Sequence, residues 1–395
     1  MTSLFYRGLS ILIIVSAVFI LLARLVGVGR AADGNLLAFT DFEGKAISLT
    51  LYDVDTRMGL PVGLSGTISG FSLSANGRLA YSSDESGDEE IYLLDMAADK
   101  PSIQNLTQSP TSHEIPLSWS PDGRYLAYVS NQDAKSSLHI WNGETTVDVT
   151  PKDMRDKPVS YQTAWSADGK LAFTIRFGFD VYQISEIYVW DGETTANLSQ
   201  NPNGEDRAPA WSSDGQVAFL SAHNGKFNIY VWDGQSWQAD SPVIQPIMDD
   251  PAGLITFASF PGWTADNRLT FTSQTAADTH TQIYVWDGEG ATNISQNPGQ
   301  HNGGAQWSRD GLWAFMTQFS PQQQLYVRDR DNRPLLTVEA YQPAWSANGS
   351  LLFCVPNRAG WGLSLWNGSE IVRIAHSYII HAHWGNGQGV DCSSG

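Results

Sequence analysis

The residues whose types and spacing could do chemistry fall into a few small groups. His381 and His383 form a His-x-His pair. On a β-strand this spacing places both imidazoles on one face, where they could bind zinc or copper. A metal site needs a third ligand, and the sequence contains no CxxC or Cys/His spacing that would supply one. We therefore interpret the two histidines as packing residues and expect no metal or cofactor.

An acidic loop is the second group. The stretch SDESGDEE, residues 83–90, contains Asp84, Glu85 and Asp88, whose carboxylate oxygens could hold calcium. The spacing does not match a defined calcium-binding loop. A solvated acidic loop is the favoured interpretation, and calcium at these three residues is the alternative.

The most frequent carboxylates recur in one setting. They lie in Asp-Gly steps after a Trp-Ser segment or in Trp-Asp-Gly steps after an apolar strand, where glycine can take the positive φ angle of a tight turn. We predict that these aspartates are turn residues and not catalytic acids. They are Asp122, Asp168, Asp191, Asp214, Asp233, Asp287 and Asp310.

The elements that hold these residues are repeats. SWSPDGRYLAYVS begins at Ser118 and AWSSDGQVAFLS at Ala210, and related segments recur about every 44 residues. This period is typical of the four-stranded blades of a β-propeller. Each unit indicates four strands, a to d, of which a is the Trp-Ser segment. The sequence predicts an all-β propeller of eight blades, or seven if the weak unit at 71–76 forms no blade.

The two ends of the repeat array complete one another. The N-terminal unit lacks a Trp-Ser strand, whereas the C-terminal HAHWGNG, residues 381–387, is a first strand with nothing after it. We predict that they share one blade, which closes the ring and removes free sheet edges. The tryptophans of the first strands should pack between blades, since each buries a large ring. They are Trp119, Trp165, Trp211, Trp263, Trp307, Trp345 and Trp384.

The pattern P-x-W-S-x-D-G-x-L-A-F, then I-Y-V-W-D, then N-L-T/S, resembles the WD40-like propeller repeats of TolB-type periplasmic proteins. It is also similar to the propeller domains of prolyl-oligopeptidase-type peptidases. The resemblance runs from Gly34 to Gly387 and implies the fold and a binding role. The chain departs from both families, because it shows neither the α/β domain of TolB-type proteins nor the G-x-S-x-G elbow of the peptidases.

The N-terminus carries a targeting signal. An apolar run from Leu9 to Leu22 predicts that residues 1–32 are a signal peptide or an uncleaved transmembrane anchor. Either alternative exports residues 33–395, the single propeller domain, to the periplasm or the extracellular space. The anchor alternative would also attach the chain to a membrane.

Net charge limits the classes of partner, and the two cysteines raise the question of a disulfide. The 395 residues carry a net charge of −18, with 23 basic and 41 acidic side chains. A nucleic-acid partner needs a basic surface, so none is expected. Cys354 and Cys392 leave two interpretations open: unrelated thiols, or a disulfide that ties the tail to the last repeat.

Topology indicates where a site would lie. In an antiparallel blade the a–b and c–d turns share one face of the ring, the hairpin face. The b–c and d–a connections share the other, the loop face, where variable loops usually bind. Aromatic residues there could anchor a protein, peptide or glycan partner. These candidates are Phe177, Phe179, Tyr182 and Trp361. Packing under their own loops is the alternative, and it is the favoured interpretation for each residue taken singly.

Residues that precede the Trp-Ser strands at similar distances should ring one mouth of the central channel. They are Glu114, Asp206, Arg207, His301, Gln342 and His381. The favoured function is a non-catalytic, monomeric binding propeller. The alternatives are a lyase or hydrolase with its site at this mouth, and a structural or sensory ectodomain.

Overall fold

The computed structural model describes residues 35–392 apart from short internal gaps. The gaps are 44–45, 65, 97–101, 110, 133–134, 155–158, 178–183, 224–225, 235–243, 247–260, 276–277, 319–322, 358–359, 376–378 and 387. Residues 1–34, which contain the predicted signal peptide or anchor, lie outside the described residues. Within the described part of the chain no helix is long and apolar enough to cross a membrane.

The described chain forms 33 β-strands in eight antiparallel sheets, which are the blades. A single 3-10 turn, Lys152–Met154, is the only helical element among the described residues. Strands are numbered in chain order. Blade 1 consists of β4(Ile68–Leu73), β5(Arg78–Ser83), β6(Glu90–Asp95) and β7(Ser102–Asn105), and blade 2 of β8(Ser112–Trp119), β9(Leu126–Gln132), β10(Lys135–Trp141) and β11(Thr146–Asp148). Blade 3 consists of β12(Val159–Trp165), β13(Leu171–Phe177), β14(Ile184–Trp190) and β15(Thr195–Asn197), and blade 4 of β16(Asp206–Trp211), β17(Val217–His223), β18(Lys226–Trp232) and β19(Ile244–Pro246).

The next three blades repeat the same order, and the eighth joins both ends of the chain. Blade 5 consists of β20(Gly262–Trp263), β21(Leu269–Thr275), β22(Asp278–Trp286) and β23(Ala291–Asn293), and blade 6 of β24(His301–Trp307), β25(Trp313–Gln318), β26(Gln324–Arg328) and β27(Pro334–Glu339). Blade 7 consists of β28(Tyr341–Trp345), β29(Leu351–Asn357), β30(Gly360–Trp366) and β31(Ile371–Ala375). Blade 8 consists of β32(Ile379–Trp384), β1(Leu36–Glu43), β2(Ala46–Asp53) and β3(Met58–Val62), with β33(Gly389–Asp391) as an added strand.

The blades close into a ring. First strands of neighbouring blades contact one another from blade 1 to blade 7. Blade 8 contacts blade 7 through β33 and β32, and its β32 contacts β4 of blade 1. The predicted eight-bladed propeller is confirmed, and the weak unit at 71–76 supplies a true first strand, β4.

The shared blade is also confirmed. C-terminal β32 pairs antiparallel with N-terminal β1, with Trp384 opposite Leu37. The structure adds a feature that the sequence did not predict, because β33 pairs with the other edge of β32. A disulfide then joins Cys392, just after β33, to Cys354 in β29 of blade 7, with 5.7 Å between the Cα atoms.

The core lies between the blades and not within them. Each apolar cluster joins two neighbouring sheets, as where Val189 of blade 3 packs with Phe219 and Trp232 of blade 4. Likewise Leu325 of blade 6 packs with Phe353 of blade 7. Strands b and c therefore bury both faces, which explains their nearly continuous apolar sequences.

Candidate functional site

The central channel contains a cavity of about 670 Å³. Its walls come from six consecutive blades, 3 to 8, and are formed by the ends of the first strands and the turns that follow them. Residues on the wall include Thr163, Ala210, Trp263, Gln306, Trp307, Trp345, Asn386 and Gln388. Because the first strands end at the a–b turns, this cavity lies toward the hairpin face.

A neighbouring opening of about 570 Å³ lies on the same side. Four tryptophan rings from consecutive blades border it together with one cation, Arg309. These rings are Trp165, Trp211, Trp263 and Trp307. The hairpin-side mouth of the channel is thus aromatic, with a single positive charge among the residues that form this opening.

The tryptophans are held in place by a ring of bonds between blades. In six blades the indole Nε1 donates to the residue that stands just before the tryptophan, or its equivalent, in the preceding blade. These bonds join Trp119 to Ser72 O (3.1 Å), Trp165 to Ser118 Oγ (3.0 Å), Trp211 to Ala164 O (3.0 Å), Trp263 to Ala210 O (3.0 Å), Trp345 to Gln306 O (3.2 Å) and Trp384 to Ala344 O (3.0 Å). Each of these bonds satisfies the indole donor of its tryptophan.

The ring is interrupted at two positions. In blade 1 the equivalent residue is Leu73, whose side chain has no hydrogen-bond donor. In blade 6 the Nε1 atom of Trp307 is buried and has no hydrogen-bond partner among the described residues, and neither has the buried Oε1 atom of Gln306. Both residues line the channel, but these two atoms are buried within its wall.

Two of the predicted channel-mouth acids are buried. Glu114, 2% exposed, accepts hydrogen bonds from the hydroxyls of Ser112 and Ser130, and burial raises the pKa of its carboxyl. Asp206, 0% exposed, accepts from Asn201 Nδ2 at 3.0 Å. Both stand five residues before their tryptophans, as does the buried Asn302 of blade 6. In these three blades the position holds a buried polar network.

The other channel-mouth candidates make local contacts. Arg207 pairs with Glu205 (Nη1–Oε1, 3.0 Å) and lies over the Phe227 ring. The His301 Nδ1 atom accepts from the Thr281 backbone at 3.1 Å. Gln342 has a φ of 48° at a bulge in β28.

His381 and His383 differ in environment. The His381 side chain is 42% exposed, and its Nδ1 lies 3.7 Å from Asp391 Oδ1. His383 packs edge-on against Phe71 of blade 1, with 5.1 Å between ring centroids. Burial, followed by the nearby His381, lowers the pKa of His383 to about 4. The described residues contain no group of three or more His, Cys, Asp or Glu that could hold a metal ion.

The aromatic candidates of the loop face are only partly described. Phe179 and Tyr182 lie outside the described residues, and Phe177 ends β13 without a described side chain. Trp361 is half-buried against Tyr341, with ring centroids 4.4 Å apart. It also packs on the apolar cluster between blades 7 and 8.

In the acidic loop, Asp84 is the calcium candidate whose carboxylate makes a defined hydrogen bond. Asp84 is exposed, and its Oδ1 accepts a 2.6 Å hydrogen bond from the Thr67 backbone, which lowers the pKa of this carboxyl. Glu85 is exposed and Asp88 is half-buried. Calcium at these residues stays a prediction.

The repeated aspartates act in turns. In the a–b turn of blade 3, Ser166 Oγ donates to Asp168 Oδ1 at 2.5 Å and accepts from the Lys170 backbone at 2.8 Å. The Ser166 hydrogen bond and the Lys170 ammonium lower the pKa of Asp168. In the c–d turn, Asp191 Oδ1 accepts from two backbone amides, those of Glu193 and Thr194. The structure accounts for these carboxylates as turn residues.

Sequence comparison finds a relative for these repeats. Over 158 residues, or 39% of this chain, the sequence is 30% identical to a TolB homolog of Chlorobium luteolum (strain DSM 273 / BCRC 81028 / 2530), of which the match covers 34%. The repeats are TolB-like. The TolB-like chain thus matches about a third of the length of that curated relative. No protein-family model matches the sequence of this chain.

Solved structures share the fold of the TolB-like propeller. The dihydro-heme d1 dehydrogenase NirN is 12% identical, with a TM-score of 0.57 over 90% of this chain and 76% of that one. Dipeptidyl peptidase 4 of Porphyromonas gingivalis is 14% identical, with a TM-score of 0.56 over 88% of this chain and 60% of that one. At these identities the likeness concerns the propeller fold alone.

The sequence did not identify the hairpin-side channel as a site. Its tryptophans were expected only as packing residues, although several also line the open channel. One signal was present in the repeats. Arg309 stands two residues after the tryptophan, where most other blades carry a small residue.

Proposed function

We propose that this TolB-like propeller is an exported, non-catalytic binding protein that takes a peptide segment of a partner protein into the hairpin-side channel. The observation that carries the proposal is the cavity of about 670 Å³ with walls from six blades. Such a cavity offers aromatic surface together with polar side chains that could fix the orientation of a ligand, a combination found in binding sites.

The chemistry of the wall suits a peptide. The tryptophan rings supply large, rigid apolar contacts, which are common anchors of protein recognition. Gln388 is exposed on the wall, and its side-chain amide supplies both a donor and an acceptor. A peptide backbone carries both complementary groups at each residue except proline, so it could pair with this amide.

Two observations support export. The N-terminal apolar run predicts a signal peptide or an anchor. The Cys354–Cys392 disulfide is the kind of bond that persists in oxidising compartments. The resemblance to TolB repeats implies a periplasmic location and a protein partner.

The test is a pull-down from the native cell envelope with the full chain as bait, and the candidate partner is then titrated in purified form. The channel variant is Ala347→Trp, because Ala347 is exposed on the cavity wall and a large ring there would obstruct it. The matched control is Ala291→Trp, because Ala291 is exposed on the outermost strand of blade 5.

The proposal expects a partner that binds the wild type and Ala291→Trp and is lost by Ala347→Trp, with all three proteins folded. Retention by Ala347→Trp would contradict the channel as the site. If Phe177→Ala/Phe179→Ala/Trp361→Ala then lost the partner, the site would be the loop face.

A further inference from the structure

Three arginines surround a second cavity on the hairpin face. Arg268 of blade 5 and Arg309 and Arg330 of blade 6 line a space of about 360 Å³ between these blades, beside the Trp307 ring. We propose that this cavity is a binding site for a phosphate dianion, either a phosphate monoester or inorganic phosphate. This site lies beside the proposed peptide channel, with which it shares Trp307 and Arg309, and its ligand goes beyond the proposed peptide.

The guanidinium groups differ in how far they are already paired. Arg268 Nε lies 2.9 Å from Asp266 Oδ2. Arg330 Nε donates to the backbone oxygen of Asp310 at 2.7 Å and forms no ion pair with a described carboxylate. Arg309 is exposed and makes neither a hydrogen bond nor an ion pair with any described residue. Two of the three cations therefore lack an anionic partner within the described parts of the chain.

The charge in the cavity favours a dianion. Three arginines face one lining carboxylate, Asp266, which leaves an excess of two positive charges. The carboxylate of Asp310 lies toward blade 7, where its Oδ2 is 3.2 Å from the position that a Cβ on Gly349 would take. A phosphate monoester carries about −1.5 to −2 charge at pH 7, which matches this excess. Guanidinium groups also bind phosphate oxygens in a bidentate geometry.

Both unpaired arginines depart from the repeat. The residue two positions after the first-strand tryptophan, or after its blade 1 equivalent, is Arg309 in blade 6. In the other seven blades it is uncharged: Ala75, Pro121, Ala167, Ser213, Ala265, Ala347 and Asn386. A cation at this position is not needed to build a blade.

Arg330 breaks the repeat in the same blade. It occupies the second position of the c–d turn, where five other blades carry glycine: Gly143, Gly192, Gly234, Gly288 and Gly368. The Arg330 side chain lies across Gly311, whose Cβ, if present, would stand 2.9 Å from Arg330 Cγ. Gly311 has a φ of 78°, and the absence of its side chain lets Arg330 reach the cavity that Arg309 also lines. The two departures thus meet at one place in space, in a chain whose net charge is −18.

The test is calorimetric titration of the full chain with inorganic phosphate in low-salt buffer at pH 7.5, followed by free phosphoserine and by acetate. The variants are Arg309→Gln, Arg330→Gln and the double variant. The matched control is Arg124→Gln, which removes an exposed arginine on the same face at the a–b turn of blade 2, where it pairs with Asp122.

Saturable phosphate binding by the wild type and by Arg124→Gln is expected. Each of the single variants should bind about tenfold more weakly, since each loses charge-assisted hydrogen bonds. Phosphoserine binding with similar or higher affinity would assign the site to phosphate monoesters. Binding of inorganic phosphate alone would assign it to the free ion.

Three results would overturn the proposal: no saturable phosphate binding by the wild type, equal binding by the double variant, or acetate binding as tight as that of phosphate. Thermal unfolding of each variant checks that the fold is intact, which is expected because all three arginines are exposed. The titration needs no partner protein, so its failure is distinguishable from failure of the channel proposal.

Discussion

The indole Nε1 of Trp211 in blade 4 donates a 3.0 Å hydrogen bond to the backbone oxygen of Ala164 in blade 3. Tryptophans of five other blades make the equivalent bond, so in these blades one side chain both fills the space between sheets and fixes their relative positions. Among the first-strand tryptophans Trp307 is the exception, because its Nε1 atom is buried and has no partner among the described residues.

This contrast gives a matched pair of substitutions. Trp211→Phe removes a bonded donor and leaves the Ala164 oxygen without its partner, whereas Trp307→Phe removes a donor that bonds no described residue. Both tryptophans are half-buried, so the apolar loss should be similar. We expect Trp211→Phe to lower the free energy of unfolding by about 1–2 kcal/mol more than Trp307→Phe does. Urea unfolding of both variants measures the difference, and equal losses would argue against the ring as a stabilising element.

The disulfide should contribute to stability because it holds β33 and the closing strand against blade 7. Cys354 and Cys392 are 38 residues apart. A cross-link over a loop of this size stabilises a protein by about 4 kcal/mol in the chain-entropy model. Cys354→Ala/Cys392→Ala should therefore unfold at a lower temperature in calorimetry, and the wild type in reductant should behave like the double variant. An unchanged transition in both samples would show that the ring closes without the covalent link.

His383 should make the propeller less stable in acid. Its pKa is lowered to about 4 from 6.5, with His381 and Asp391 as the charged neighbours. The unfolded chain takes up this proton below about pH 6.5 and the folded chain only near pH 4. Stability is therefore lost between these values, by about 3 kcal/mol at most, and is constant below them. Chemical unfolding of His383→Gln across this range should show a shallower pH dependence than the wild type, with exposed His113→Gln as the control. Parallel curves would contradict the assignment.

The effect of Glu114 on the free energy of unfolding should have the opposite pH dependence to that of His383. Burial raises the pKa of this carboxyl, so folding disfavours its charged form, and the folded state takes up the proton more readily. At neutral pH, Glu114→Gln should increase the free energy of unfolding by about 1 kcal/mol, because it removes the cost of burying a charged carboxylate. The hydroxyls of Ser112 and Ser130 can still donate to the amide oxygen.

The advantage of Glu114→Gln should disappear as the pH falls through the folded-state pKa of Glu114, because the wild-type carboxyl is then also neutral. Urea unfolding at pH 7 and at pH 4 tests both parts, and exposed Glu193→Gln serves as the control. Destabilisation at pH 7 would show that the charge of Glu114 is needed.

The repeats determined the architecture from the sequence alone. The Trp-Ser-x-Asp-Gly segment encodes a strand end and a tight turn through local chemistry, since the serine hydroxyl bonds the aspartate and the glycine takes a positive φ. Counting these segments predicted eight blades, and the unmatched HAHWGNG segment predicted the shared closing blade. Local patterns suffice here because each blade has the same register and packs mainly against its neighbours.

The tertiary structure decided which residues meet. Whether Cys354 and Cys392 pair depended on β33, a strand with no signal in the repeat. The channel-mouth prediction relied on sequence distance from the tryptophans, which fixes neither the direction of a side chain nor its burial, and Glu114 and Asp206 are buried. Arg309 and Arg330, 21 positions apart, come together because the a–b and c–d turns share one face of the ring. A linear pattern encodes each turn, but only the closed ring sets the distance between them.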